Sequence, residues 1–233
     1  MKKLFILFGI YFWSLFADAH TCEPQKVKCP MDGTKVEFCV TRSMTVFGSF
    51  YDFQKKGAIG NHYEELINSC PKCHFSGYIS DFKRKYSKEQ KSKILELLKK
   101  YDNVKIDDAK ECEIAGEIKE LLGAPNDKIA NCYLIGSYLV RYDTTRTAYR
   151  KLLQTKTLTY LKKAIKANEY KDPSVVATVY YLIGEMYRRT SDFKNAILYF
   201  ELALSNKEKE DWLEKIANKQ KELAVKKDDD NTI

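Results

Sequence analysis

The chain has 233 residues, of which 44% are hydrophobic and 13% aromatic, with only 10 Gly and 5 Pro. This composition supports one or two compact cores and excludes disordered and collagen-like proteins. Its 40 Lys plus Arg and 32 Asp plus Glu give a net charge of +8, and the charges are interspersed along the chain. We expect no nucleic-acid partner, because nucleic-acid binding usually requires a concentrated basic patch.

The first 19 residues have the pattern of a secretory signal peptide. Lys2 and Lys3 precede an apolar run over residues 4–16, which Ala17-Asp18-Ala19 follows. The run is shorter than the roughly 20 residues that span a bilayer. We therefore predict cleavage after Ala19, no transmembrane segment after cleavage, and a periplasmic or secreted location in a bacterium.

Residues 20–86 are rich in aromatic, β-branched and turn-forming residues, which favours short strands. Polar and apolar side chains alternate over residues 35–40, and this alternation predicts a strand. Weaker patterns predict strands near residues 63–68, where a helix is the alternative, and near residues 75–79. The sequence therefore predicts an α+β fold, predominantly α, in which a small strand-rich domain precedes a helical domain over residues 87–226.

Helical spacing and capping residues predict about seven helices in the second part. Ser87 and Gln90 form a capping box at the first of them. The others are expected over residues 107–122, 126–142, 144–168, 173–189, 191–205 and 212–225. Short connections between helices are typical of antiparallel neighbours. Residues 227–233 are expected to form a frayed, solvated polar tail.

The segment from Ala177 to Leu204 resembles a tetratricopeptide repeat, a pair of antiparallel helices. The motif positions are filled by Tyr180, Ile183, Gly184, Tyr187, Ala196, Phe200 and Ala203. Gly184 and Ala196 are small where the two helices would cross, while Phe200 would fill the groove beside them. A weaker copy contains Leu134-Ile135-Gly136. We therefore predict a tetratricopeptide-like α-helical solenoid.

The seven cysteines include one pair with metal-ligand spacing, Cys70 and Cys73. Two intervening residues place both sulfurs on one side of a tight turn, which suits tetrahedral Zn²⁺. The segment Cys29-Pro30-Met31-Asp32-Gly33 has the same form with a carboxylate at the second position. The predicted zinc ligands are Cys29, Asp32, Cys70 and Cys73. Cys22 or Cys39 could replace the carboxylate.

A disulfide between Cys70 and Cys73 is an equally weighted alternative, because exported thiols tend to oxidise unless a metal protects them. The odd number of cysteines leaves at least one unpaired or bound to metal. Cys112 and Cys132 lie on apolar helical stripes. We expect them to be core residues, with a disulfide between the two helices as the second possibility.

The motifs together resemble the bacterial family called domain of unknown function 2225. The resemblance rests on Cys29–Gly33, Phe50–Phe53, Tyr63, Cys70–Tyr78 and Leu182–Arg189. That family carries a Cys-Pro-x-Cys turn twice, which implies a metal site or a structural thiol site. Three of its four cysteines are kept here, and Asp32 stands in place of the fourth.

Three common catalytic motifs are absent from the sequence: the H-E-x-x-H zinc pair, the G-x-S-x-G elbow and the glycine-rich phosphate loop. We therefore expect a non-enzymatic protein-protein interaction module, since helical repeats present concave surfaces to protein or peptide partners. The partner would lie in the cell envelope. The alternative is a thiol-active or metal-dependent enzyme that uses Cys70 and Cys73.

Overall fold

The computed structural model describes residues 20–233, which form a mixed α+β protein that is mostly helical. The predicted signal peptide over residues 1–19 lies outside the described residues. Among residues 20–233, no helix combines the length and the apolar character that a membrane crossing requires.

Five strands in the described part of the chain form two small antiparallel sheets. β1 (His20–Lys28), β2 (Lys35–Ser49) and β3 (Lys55–Ala58) form the first sheet in that order, while β4 (Asn68–Ser69) pairs with β5 (Ser76–Gly77). The strand expected over residues 35–40 is confirmed within β2, and the alternation there buries Val36 and Phe38. β5 lies inside the strand expected near residues 75–79.

The strand expected near residues 63–68 is wrong for most of its length, because residues 60–66 form turns. Tyr63 and Ile67, which are four residues apart, are both buried in the core. Residues four apart lie on one face of a helical turn as well as of a strand, so the turns bury both side chains without forming a strand.

The helices of the described chain are α1 (Ile79–Lys83), α2 (Lys88–Leu98), α3 (Asp108–Leu121), α4 (Asn126–Leu139), α5 (Thr147–Lys166), α6 (Pro173–Arg189), α7 (Phe193–Ser205) and α8 (Asp211–Val225). The seven predicted helices are confirmed as α2 to α8, with ends that shift by a few residues. Ser87 and Gln90 make both hydrogen bonds of the predicted capping box. The short helix α1 was not predicted.

The tightest helix contact that the sequence predicts joins α6 and α7. Tyr187, Ala196 and Phe200 are all buried there, as expected. A Cβ atom on Gly184 would lie 2.8 Å from the Phe200 ring, so the small residue allows this close approach. The aromatic ring and the glycine therefore set the distance between the two helices.

The strand-rich part packs directly on the helices. Tyr63 and Ile67 share a hydrophobic cluster with α4, α6 and α7. The hydroxyl of Tyr138 donates a hydrogen bond of 2.5 Å to the carbonyl oxygen of Asp52, and the hydroxyl of Tyr181 donates one of 2.8 Å to that of Tyr51. The loop after β2 is therefore fixed to α4 and α6.

The end of the chain differs from the predicted solvated tail. The guanidinium of Arg188 donates hydrogen bonds of 2.8 Å to the carbonyl oxygens of Asp228 and Asp230. Asn231 is 5% exposed. Residues 228–231 are therefore docked against α6, because the buried arginine needs acceptors that its own helix does not supply in sufficient number.

Candidate metal centre

Two turns of the strand-rich part have the same main-chain hydrogen bonds. In the first, the Cys29 amide donates to the Thr34 carbonyl oxygen at 2.7 Å, and the Gly33 amide donates to the Cys29 carbonyl oxygen at 2.9 Å. Gly33 has φ of 77°. We call this turn, residues 29–34, the first knuckle.

The second knuckle, residues 70–75, repeats this pattern. The Cys70 amide donates to the Phe75 carbonyl oxygen at 2.8 Å, and the His74 amide donates to the Cys70 carbonyl oxygen at 2.9 Å. His74 has φ of 60°. Asp32 and Cys73 therefore hold equivalent positions in two turns of the same geometry.

The knuckles bring the four predicted ligands together. The sulfurs of Cys29 and Cys73 lie 3.6 Å apart, and the Cys70 sulfur lies 3.6 Å from both carboxylate oxygens of Asp32. One ligand atom from each of the four residues lies within 4.8 Å of the other three. Zn–S bonds of about 2.3 Å place two sulfurs about 3.8 Å apart in a tetrahedron. The two measured separations thus match two opposite edges of such a tetrahedron.

Main-chain amides orient two of these ligands. The Thr34 amide donates to Asp32 Oδ1 at 2.9 Å, and the Met31 amide donates to Cys29 Sγ at 3.4 Å. Hydrogen bonds to a ligand atom fix its direction and stabilise its negative charge. The first knuckle is therefore organised around a thiolate and a carboxylate.

An aromatic cluster lies beneath the site. The Phe75 ring, which is fully buried, meets Phe82 edge to face at 5.0 Å, and Phe82 meets Phe38 in the same way at 5.1 Å. Cys70 is fully buried, whereas Asp32 is exposed. Water is thus excluded from Cys29 and Cys70, whereas Cys73 is partly exposed and Asp32 faces solvent.

The ionisation of the three thiols is linked. The hydrogen bond with Cys73 lowers the pKa of Cys29 to about 7, although burial acts against this change. The same hydrogen bond raises the pKa of Cys73, and burial raises that of Cys70. The Cys29 thiol thus ionises near neutral pH, whereas Cys70 and Cys73 would release their protons to solvent only when a cation binds. Metal binding at such a site releases protons.

The other four cysteines lie outside this cluster. Cys22 and Cys39 form a disulfide between β1 and β2. The suggestion that either could replace the carboxylate is therefore wrong, because a disulfide sulfur is not a thiolate ligand. Cys112 and Cys132 are free and buried, which confirms them as core residues rather than a disulfide.

The cluster could hold a metal ion. Three thiolates and one carboxylate at tetrahedral spacing are a donor set that suits Zn²⁺. A metal ion with all four protein ligands has no open position for water or substrate. Such closed sites stabilise folds, whereas catalytic zinc sites keep one position open.

A second group of polar residues, which the sequence patterns do not predict, lies in the core. Asp52, Arg141, Glu185, Arg188 and Arg189 are each no more than 3% exposed. The available signal was the occurrence of charged residues at positions 185, 188 and 189 of a helix whose neighbouring residues are mostly apolar. Spacing of i, i+3 and i+4 places such residues on one helix face.

The comparisons with known proteins give one family. A family model described as "Uncharacterized protein conserved in bacteria (DUF2225)" matches residues 23–226. This range includes both knuckles and all the helices from α1 to α8. No curated protein and no solved structure has a significant match to the chain.

Proposed function

The chain belongs to the DUF2225 family, and we propose that it is an exported, non-enzymatic protein-interaction module with a structural zinc ion. The observation that carries this proposal is the pair of matching knuckles. They bring Cys29, Asp32, Cys70 and Cys73 to tetrahedral spacing. Four protein ligands would complete the coordination of the metal, so its role would be to hold the fold.

Zinc would tie together two chain segments that are 41 residues apart. Cys29 enters from the turn after β1, and Cys70 from the turn between β4 and β5. The small sheets around them have little apolar core of their own, and small domains of that kind often depend on a metal. The strand-rich part would thus be a zinc-ribbon-like unit.

The helical part would supply the binding surface. The close packing of Gly184 on Phe200 supports a tetratricopeptide-like hairpin, since that motif uses a small residue where its two helices meet. Leu198 and Leu202 on α7 remain substantially exposed. We propose a protein or peptide partner in the cell envelope rather than a nucleic acid.

A disulfide bond in the first sheet supports the proposal that the protein is exported. Cys22 and Cys39 are joined in a disulfide, and disulfides persist mainly in oxidising compartments such as the bacterial periplasm. A protein that is processed after Ala19 would begin at His20. The intact mass of the natively exported protein would measure this directly, and retention of residues 1–19 would contradict it.

The zinc proposal is tested by metal analysis and thiol alkylation on the natively purified full chain. We expect about one zinc ion per chain, with the thiols of Cys29, Cys70 and Cys73 protected until a chelator is added. Cys29→Ser should abolish stoichiometric zinc. Cys112→Ser is the matched control, because it also removes a buried free thiol but lies outside the cluster.

Two other outcomes would count against the proposal. A metal-free protein with a disulfide between Cys70 and Cys73 would reject the zinc site. Rapid alkylation of both thiols without any chelator would instead support the alternative function, a thiol-active enzyme that uses Cys70 and Cys73. Reactive cysteines are accessible thiolates.

A further inference from the structure

Three buried arginines converge where the end of α4 meets α5 and α6. Arg188 donates two hydrogen bonds of 2.9 Å to the carboxylate of Glu185, and Arg189 Nε donates one of 2.6 Å to the same group. Arg141 donates one of 2.5 Å to the Asp52 carboxylate. Three buried cations therefore face two buried carboxylates. One positive charge and several N–H donors remain without a partner from these side chains.

Main-chain atoms of residues 228–231 satisfy these donors. Arg188 donates to the carbonyl oxygens of Asp228 and Asp230, each at 2.8 Å. Arg189 donates to the carbonyl oxygen of Asn231 at 2.7 Å, and Arg141 donates to the same atom. Carbonyl oxygens occur in every peptide, so these contacts do not depend on a particular side-chain sequence.

The side chains of the same segment match the charge of its surroundings. The carboxylate of Asp229 accepts hydrogen bonds from Lys151 at 3.1 Å and from the Ser191 hydroxyl at 2.6 Å. Asp228 instead accepts from the amide of Asp230, and Asp230 accepts from the amide of Thr232. An acidic segment thus lies on a basic surface, with only one of its three carboxylates held by side chains of the helices.

The segment does not fill its site. A cleft of about 380 Å³ remains beside it, lined by Arg141, Thr147, Arg150 and Lys151. Arg150, which lines this cleft, has a buried Nε with no hydrogen-bond partner among residues 20–233. Gln154 lies outside the cleft lining, and its amide nitrogen donates a hydrogen bond of 2.6 Å to Asn231 Oδ1. Gln154 is 1% exposed. Buried polar groups are normally satisfied, so a ligand that accepted a hydrogen bond from Arg150 Nε would make a contact that residues 228–231 do not make.

We propose that the arginine cleft is a binding site for an acidic peptide of a protein partner. We define this cleft as the surface of Arg141, Arg188 and Arg189 that residues 228–231 cover, together with the adjoining space beside Arg150 and Lys151. Residues 228–231 occupy it as a tethered competitor. The inference rests on the proposed interaction function and assigns its ligand class. A tethered segment acts at millimolar effective concentration, so it lowers the apparent affinity for a free peptide until it is displaced.

The test measures binding of a labelled peptide with the sequence of residues 226–233 to the full chain by fluorescence anisotropy. The double substitution Asp229→Lys with Asn231→Lys releases the segment, because both new cations would face the basic cleft. We expect the released variant to bind the peptide at least about tenfold more tightly than the unmodified chain.

Two further substitutions, each made in the released variant, distinguish the cleft from general charge attraction. Lys151→Glu places a carboxylate at the rim of the cleft and should weaken binding about tenfold. Lys163→Glu is the matched control, since it makes the same change at an exposed position of α5 that does not line the cleft. Equal weakening by both substitutions would overturn the proposal, as would a folded released variant that binds no more tightly than the unmodified chain.

If the released variant fails to unfold cooperatively, the unmodified chain decides the question. Excess unlabelled peptide should accelerate hydrogen exchange at the amides of Asp230 and Thr232. A peptide with asparagine in place of each aspartate should accelerate it less at the same concentration, because it keeps the carbonyl contacts but loses the ion pair with Lys151. Unchanged exchange at saturating peptide would reject the cleft. Neither readout depends on zinc or on export, so a failure here with zinc-loaded protein rejects the cleft alone.

Discussion

The carboxylate of Asp32 occupies the position in the first knuckle that the thiol of Cys73 occupies in the second. Each follows its leading cysteine by three residues, within turns that share their hydrogen bonds and their left-handed residue. The substitution of an oxygen ligand for sulfur leaves the geometry intact. It replaces a soft ligand with a hard one, and soft thiolates are the ligands that favour zinc over magnesium or calcium.

Asp32→Cys should therefore strengthen zinc binding. The new thiol would complete a set of four sulfurs in the same turn, because the two main-chain hydrogen bonds of the knuckle remain. The cysteine sulfur could also accept the hydrogen bond that the Thr34 amide now donates to Asp32, as Cys29 Sγ accepts one from the Met31 amide. We expect the zinc dissociation constant to fall by about tenfold or more, measured by competition with a chromophoric chelator.

Asp32→Asn is the partner experiment. An amide oxygen can still accept the hydrogen bond from the Thr34 amide, so the turn is preserved while the negative charge is lost. Zinc should then bind less tightly than in the unmodified chain. Equal affinities for the aspartate, asparagine and cysteine forms would show that residue 32 does not bind the metal.

Phe200→Ala should destabilise the helical part strongly. The ring is fully buried against Gly184, and its removal leaves a cavity at the contact between α6 and α7. We expect the free energy of unfolding to fall by roughly 3–5 kcal/mol, measured by urea titration. Leu198→Ala on the same helix is the control, since Leu198 is 48% exposed and should lose far less. Similar losses for both variants would contradict the close contact.

The sequence predicted α6 well because each of its signals is local. Asp172 caps the helix, Pro173 occupies its first turn and the apolar side chains that follow have helical spacing. The two knuckles were equally visible, because the turn residues and the ligands are neighbours in the chain. Such local signals can be recognised without knowing which parts of the chain pack against the helix or the turn.

The features that escaped prediction depend on distant partners. Asp52 lies in a loop and meets Arg141 from the end of α4, a pairing that nothing near either residue indicates. The sequence predicted a solvated tail over residues 227–233, because the arginines that bind the carbonyl oxygens of this tail are 40 or more positions away. The disulfide between Cys22 and Cys39 likewise depends on the pairing of β1 with β2, which the cysteine count alone does not determine.

Glu185→Gln should destabilise the chain by about 3–5 kcal/mol, because it leaves Arg188 and Arg189 buried without their shared counterion. Burial alone would raise the pKa of Glu185, but the two guanidinium groups outweigh it and lower the pKa. Thermal and urea unfolding measure the loss. Glu201→Gln is the exposed counterpart on α7, and its pair with Lys221 should contribute at most about 1 kcal/mol. A loss at position 185 as small as that at 201 would disprove the prediction.

The ionisation of Glu111 on α3 should lower the free energy of unfolding as the pH rises from about 4.5 to about 7. Burial is the main cause that raises its pKa to about 7, from 4.5, and the hydroxyl of Ser69, which donates to it at 2.6 Å, only partly offsets this. The folded state thus holds a proton on Glu111 that the unfolded state has already lost at pH 5 to 7. The contribution to stability is complete below about pH 4.5 and is lost above about pH 7.

Glu111→Gln removes this titration while it keeps an oxygen for the Ser69 hydroxyl. The free energy of unfolding of the variant minus that of the unmodified chain should therefore rise between pH 4.5 and 7 and then stay constant. Glu113→Gln on the same helix is the control of opposite sign. Burial raises the pKa of Glu113, but hydrogen bonds from Lys110 and Tyr149 outweigh burial and lower it. The corresponding difference for Glu113→Gln should be flat from pH 5 to 7 and should change only at lower pH. A flat profile for Glu111→Gln across that range would show that the Glu111 carboxylate ionises in the folded protein as it does in the unfolded chain.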